Sequence, residues 1–94
     1  MYKRQSPHRI YAQGPDGACI AEITFPVVRP GVWNIDHTFV DASLRGQGAA
    51  ECLVRAVIEQ AQEAGIRLTA TCSYASAWFA RHPECQSLYL PQEN

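Results

Sequence analysis

"SLRGQGAAECLV", residues 43–54, runs from a short basic loop with two glycines straight into apolar residues at helical spacing. Ala50, Leu53, Val54, Val57, Ile58 and Ala61 recur at i, i+3, i+4, i+7, i+8 and i+11, which marks one apolar helix face. Glu51, Arg55, Glu59 and Gln62 fall on the polar side, with Glu51 and Arg55 spaced for an i,i+4 ion pair. Gly65 is placed to end the helix. A helix entrance exposes unpaired backbone N–H groups at the positive end of the dipole. Gly46 and Gly48 strip side chains from that entrance, and Arg45 adds donors suited to phosphate oxygens. Local chemistry leaves two readings open: an anion site for a pyrophosphate, or a tight strand-to-helix turn with a solvated arginine.

Upstream of the loop the period is two. "GPDG" (residues 14–17) is a turn between the extended runs "HRIYAQ" and "ACIAEITF", which predicts a β-hairpin. "VVRPG" makes a second turn, and "VWNIDHTFV" reads as a third strand, rich in β-branched and aromatic residues. Downstream, "IRLTATC" is a fourth strand, expected to return parallel to the third. Ser73 is placed to cap a short second helix, "YASAWFAR", which ends before Pro83. The tail "LYLPQEN" reads as frayed. The order is β-β-β-α-β-α: an α+β fold in which an antiparallel meander is followed by α-β-α in a mixed central sheet.

Ninety-four residues suit one domain, with its core expected over residues 8–86. At 47% hydrophobic and 18% charged the composition is that of a globular chain rather than a disordered one. A net charge of −1, with no lysine/arginine stripe, gives no long-range field to attract nucleic acid. No window approaches the roughly 20 apolar residues of a membrane span, and "MYKRQSPHRI" lacks the apolar centre of a secretory signal. A cytoplasmic chain is expected. The cysteines at 19, 52, 72 and 85 fit neither a metal-ligand spacing nor a disulfide framework. Cys19 and Cys52 are expected as small, reduced, buried residues. Trp33, Trp78 and Phe79 read as core, His8 as incidental and His82 as a helix-end cap.

Two phosphate-loop patterns fail here. A nucleoside-triphosphate loop needs Gly-Lys-Ser/Thr, and "RGQGAA" has no lysine. A dinucleotide fingerprint needs a third small residue where Glu51 stands, inside a parallel βαβ unit. One pattern fits. Arg45-Gly46-Gln47-Gly48-Ala49-Ala50 matches the Gln/Arg-x-x-Gly-x-Gly/Ala signature of the GNAT N-acetyltransferase superfamily, after a strand and opening an amphipathic helix. The chain resembles the short stand-alone members of that family, with His37-Thr38-Phe39-Val40 before the loop and Cys72-Ser73-Tyr74 after the next strand.

The resemblance implies an acetyl-CoA-dependent N-acetyltransferase acting on a primary amine. The loop 45–50 would seat the pyrophosphate of coenzyme A. Thr38, Phe39 and Val40 would offer main-chain groups to the pantetheine arm, and Ser73 would join the cofactor site. Tyr74 is a candidate acid for the departing thiolate, with a core aromatic stacked on Trp78 as its other reading. Glu22 is a candidate base or water relay, or else simply solvated or paired. His37 is a candidate base or strand anchor. Cys72 has three readings: packing, orienting the thioester, or accepting the acyl group. The family's acceptor-side elements are missing from this chain, so a protein or peptide amine, or a homodimer meeting through Leu88 and Leu90, is expected to complete the site. The alternative is an acyl-CoA-binding module without transfer chemistry; a small interaction domain without a ligand is a third option.

Overall fold

The computed structural model describes residues 3–6 (as backbone), 8–44 and 46–90. Strands β1 (Lys3–Ser6), β2 (Arg9–Gln13) and β3 (Cys19–Thr24) form antiparallel pairs, and β3 pairs in turn with β6 (His37–Val40). The strand order of this sheet is β1-β2-β3-β6. A second sheet, β4-β5-β7, joins β4 (Val27–Arg29) antiparallel to β5 (Val32–Ile35) and β5 parallel to β7 (Arg67–Ala70). Helices α1 (Ala49–Ala64) and α2 (Ser73–Ala80) follow β6 and β7 respectively.

The predicted α+β order holds, as does the parallel return of the strand after α1. The expected third strand "VWNIDHTFV" is two strands in two sheets, broken at Asp36, whose amide bonds the Thr24 carbonyl at 3.3 Å. Asp36 also accepts from the Thr24 hydroxyl. A polar side chain anchoring its own turn is a sufficient cause for the break. "VVR", expected within a turn, is a strand, and β1 has no counterpart among the expected elements.

The faces of β2, β3 and β6 alternate, apart from Cys19 at the start of β3, where the pairing with β2 shifts register. Ile10, Ala12, Ala21 and Ile23 are buried under α1, which presents Leu53, Val54, Val57 and Ala61 to them. Each fully buried aliphatic side chain contributes roughly 1.5–3 kcal/mol. Gly65, at φ 69°, closes α1, and its amide and that of Ile66 return to carbonyls of the last turn.

Three expectations fail on packing. The tail is tied down to Leu90: Leu68 donates to the Leu88 carbonyl (3.0 Å), Leu90 donates to the Leu68 carbonyl (2.7 Å), and Tyr89 stacks on Phe79 at 4.3 Å. Leu88 and Leu90 are therefore half-buried, not an exposed apolar pair for a second subunit. Cys19 and Cys52 are exposed: the helical period in α1 turns Cys52 outward, and Cys19, which alternation alone would set on the Ala21–Ile23 face, lies where the β2–β3 register shifts at the end of the strand. Trp33 is half-buried against Phe25, with the His8 ring edge-on to both, so His8 is part of that cluster. His82 does cap α2, its Nδ1 lying 2.7 Å from the Trp78 carbonyl.

Asn34 is the buried polar residue of the second sheet. Its amide donates to Thr71 Oγ1 (2.9 Å) and its carbonyl accepts from Thr69 Oγ1 (2.8 Å). Replacing Asn34 by Ala should destabilise the fold by about 1–3 kcal/mol in a urea titration, since two threonine hydroxyls lose their partner together.

Candidate functional site

Sheet pairing between β5 and β7 ends at Ile35 and Ala70. The Ile35 carbonyl then accepts from both Thr71 and Cys72 amides, each at 3.1 Å, and beyond it β6 leaves to pair with β3 while β7 turns into α2. A wedge opens between β6 and the start of α2. Main-chain alternation decides what faces it. The Asp41 amide bonds the Ile20 carbonyl at 2.8 Å, in line with the β3–β6 register, so residues 37, 39 and 41 point their amides at β3. Thr38 and Val40 point theirs to the open edge. Of the three expected main-chain partners, Phe39 is thus turned the other way, and its side chain is 39% exposed on the outer face.

Cys72 bridges the wedge, its Sγ 3.4 Å from Thr38 Oγ1. It is the N-cap residue of α2, with no side-chain cap bond. Ser73, expected as that cap, is instead the first helical residue and is exposed.

The loop into α1 adopts the conformation its glycines permit. Gly46 and Gly48 have φ of 84° and 75°, in the left-handed region that other residues avoid. A Cβ on either would meet nothing within 4 Å, so backbone conformation and not protein packing demands glycine there. Gly48 is the N-cap, no side chain caps α1, and the first internal helical bond is from Cys52 to the Gly48 carbonyl. The amides of Ala49, Ala50 and Glu51 are the donors left over. Gln47 braces the loop, donating to the Ser43 carbonyl at 3.1 Å. Arg45 lies outside the described residues.

An open cavity of about 270 Å³ sits on this helix entrance, walled by Val40 and Leu44, by Gly46 to Glu51 except Gln47, and by Tyr74. Ligand pockets run roughly 300–1,000 Å³, so this one suits part of an extended ligand. Tyr74 is half-buried and makes no ring stack with Trp78, which instead stacks on His82 at 3.8 Å. Burial, and next the Glu51 carboxylate, push the Tyr74 phenol above its ordinary value of 10.0, with Arg81 opposing.

On the other face of the β1-β2-β3-β6 sheet, alternation lines up Arg9, Tyr11, Glu22, His37 and Phe39. Arg9 donates to Glu22 through Nε, and its guanidinium lies 4.3 Å from the Tyr11 ring centre. Glu22 raises the Arg9 guanidinium above its ordinary value, chiefly through that hydrogen bond. His37 Nε2 lies 3.4 Å from the second oxygen of Glu22. Glu22 and His37, separate candidates in the sequence, are thus a pair. Sequence reasoning missed Arg9, Leu44 and Glu51. The hairpin centred on "GPDG" carried the signal for Arg9, since its register sets residues 9 and 22 diagonally on one face.

Known proteins agree with this fold. The family model described as GCN5-related N-acetyl-transferase matches residues 9–88. A GCN5-like protein from Staphylococcus aureus, a candidate N-acetyltransferase, superposes with a TM-score of 0.82 at 34% identity, over 100% of this chain and 91% of its own. Two further structures are more distant. Rv2747 from Mycobacterium tuberculosis, determined in complex with CoA, gives a TM-score of 0.64 at 20% identity, over 81% of this chain and 47% of its own. An IAA acetyltransferase from Bacillus cereus gives 0.59 at 25%, over 82% and 52%. The chain spans about half the length of those two. No curated protein matches the sequence. The chain belongs to the GCN5-related N-acetyltransferase family and is an acyltransferase of that type. Among the described residues no helix is long and apolar enough to cross a membrane.

Gly48→Ala should cost about 1–2 kcal/mol in chemical denaturation, the penalty of a left-handed Cβ alone, because the added methyl meets no protein atom.

Proposed function

We propose that the chain transfers the acetyl group of acetyl-CoA to a primary amine by direct attack on the bound thioester. The observation that carries this reading is the cavity at the uncapped start of α1, with left-over amides at one end and the open edge of β6 leading away from it. Backbone donors at a helix start hold a pyrophosphate through hydrogen bonds and dipole together. The outward main-chain groups of Thr38 and Val40 take the amide-bearing pantetheine arm as a sheet takes an added strand. That arm would carry the thioester into the wedge near Cys72 and Thr38.

The acceptor amine approaches from the outer sheet face, where His37 takes its proton and Glu22 stabilises the imidazolium. Arg9 holds Glu22 in place through its Nε. The amine nitrogen bonds to the thioester carbon, and the oxyanion that forms is held by a backbone N–H at the wedge. Collapse breaks the C–S bond; the departing thiolate takes the Tyr74 proton, which solvent later restores. The products are an amide and free CoA. Cys72 orients the thioester through its contact with Thr38. The acceptor is an amine on a protein or peptide, which brings its own complementary surface to the site.

Calorimetry with acetyl-CoA, combined with thiol release across a panel of peptides and small amines, tests the reading. Binding heat that Gly48→Val lowers at least tenfold in affinity, and thiol release that Tyr74→Phe slows about 10²–10⁴-fold, are the expected results. Absence of binding heat on folded protein at millimolar acetyl-CoA refutes it.

A further inference from the structure

Gln47 stands between two glycines whose backbone nothing else holds. Gly46 and Gly48 sit in the left-handed region with open space around each, so packing fixes neither. Glycine visits both halves of φ at little cost, and a loop with two of them loses its shape easily. Gln47 is tethered twice. Its backbone amide donates to the Leu44 carbonyl at 3.2 Å, and its side-chain amide donates to the Ser43 carbonyl at 3.1 Å. With Gln47 fixed on one side and α1 on the other, Gly48 has no room to change its backbone angles, and the same two bonds hold the far side of Gly46. The anchor is itself anchored. Ser43 donates to Asp41 Oδ2 from its amide (3.0 Å) and its hydroxyl (2.6 Å), and the Asp41 amide donates to the Ile20 carbonyl of β3. A chain of bonds thus runs from the sheet through Asp41 and Ser43 to Gln47. Of residues 46–51, Gln47 is the one that does not line the cavity, its side chain turned back along the loop.

We propose that Gln47 is a positioning residue for the coenzyme: through the Ser43 carbonyl it keeps residues 46–48 folded clear of the first amides of α1, without touching the ligand. This rests on the reading of that helix entrance as the pyrophosphate seat. It also gives Gln47 a different part from its neighbours in the loop, whose backbone lines the cavity. A loop already in its bound form spares the ligand the cost of ordering it. Apparent affinity falls in proportion as molecules leave that form, while the chemical step, at the other end of the pantetheine arm, keeps its rate. A solvent-exposed hydrogen bond contributes modestly, so the effect is a fold-change and not an all-or-none loss.

Gln47→Met keeps the length of the side chain and removes its donor. In the ligand-free protein, ¹⁵N relaxation should show new motion at Gly46 and Gly48, as lowered order parameters or as microsecond–millisecond exchange, with the later turns of α1 unchanged. Affinity for CoA by calorimetry, and KM for acetyl-CoA, should worsen roughly threefold to tenfold with kcat unchanged. S-acetyl-pantetheine carries the thioester and the arm without the pyrophosphate, and its kcat/KM should not move. A purely structural role for Gln47 would lower turnover of both donors together. Glycines that stay rigid on both timescales, CoA affinity that stays at the wild-type value, or equal losses with both donors each overturn the proposal. Wild-type protein without affinity for CoA fails the functional reading, and the proposal with it, whatever the variant does.

Discussion

One carbonyl holds the architecture open. Ile35 is the last residue of β5 paired with β7, and its carbonyl accepts two amides at once, from Thr71 and Cys72. Past that point neither strand can continue the shared ladder, because the next amides on one side are already spent. β6 turns to β3 and β7 turns into α2. Parallel pairing that stops after four residues would ordinarily be a weakness. Here the Asn34–Thr69–Thr71 bonds pin the two strands just before they part, so the opening is stiff at its hinge.

The split divides labour between two sheet faces. α1 covers the inner face of the β1-β2-β3-β6 sheet with a continuous apolar stripe, and its bare N-terminus is left at the mouth of the wedge. The outer face carries Arg9, Glu22 and His37, where a carboxylate between a guanidinium and an imidazole is held in one position. The strand that separates these faces, β6, is only four residues long.

Much of this is legible in the chain. The helical period from Ala50 to Ala61 and the glycines at 46, 48 and 65 specify α1 and both its ends, because a left-handed glycine is a local requirement that tertiary context rarely overrides. Alternation in the hairpin places Glu22 on a face. Where one extended run divides is not legible. "VWNIDHTFV" has unbroken strand character, and the break at Asp36 depends on Thr24, twelve residues earlier, through contacts that no local pattern encodes. Cys52 misleads because residue type argues for burial, the helical period argues against it, and the period is right; at Cys19 type and period both argue for burial, and the register shift between β2 and β3 overrides them. The tail is a different case. Its short, Pro-bearing sequence has no periodicity, and only the Phe79 ring and the Leu68 main chain give it a place.

That last attachment has a consequence for how the molecule stays apart from its neighbours. The chain from Leu88 to Leu90 lies along β7 as a bridge, satisfying amide and carbonyl groups that would otherwise form a bare sheet margin. The opposite margin, β4, shows Val27 and Val28 to solvent but is bounded by Pro26 and Pro30, which cannot donate to an incoming strand. A chain shortened ahead of Leu88 would keep α1 and its loop intact and yet become adhesive, offering a naked strand to any extended segment it met.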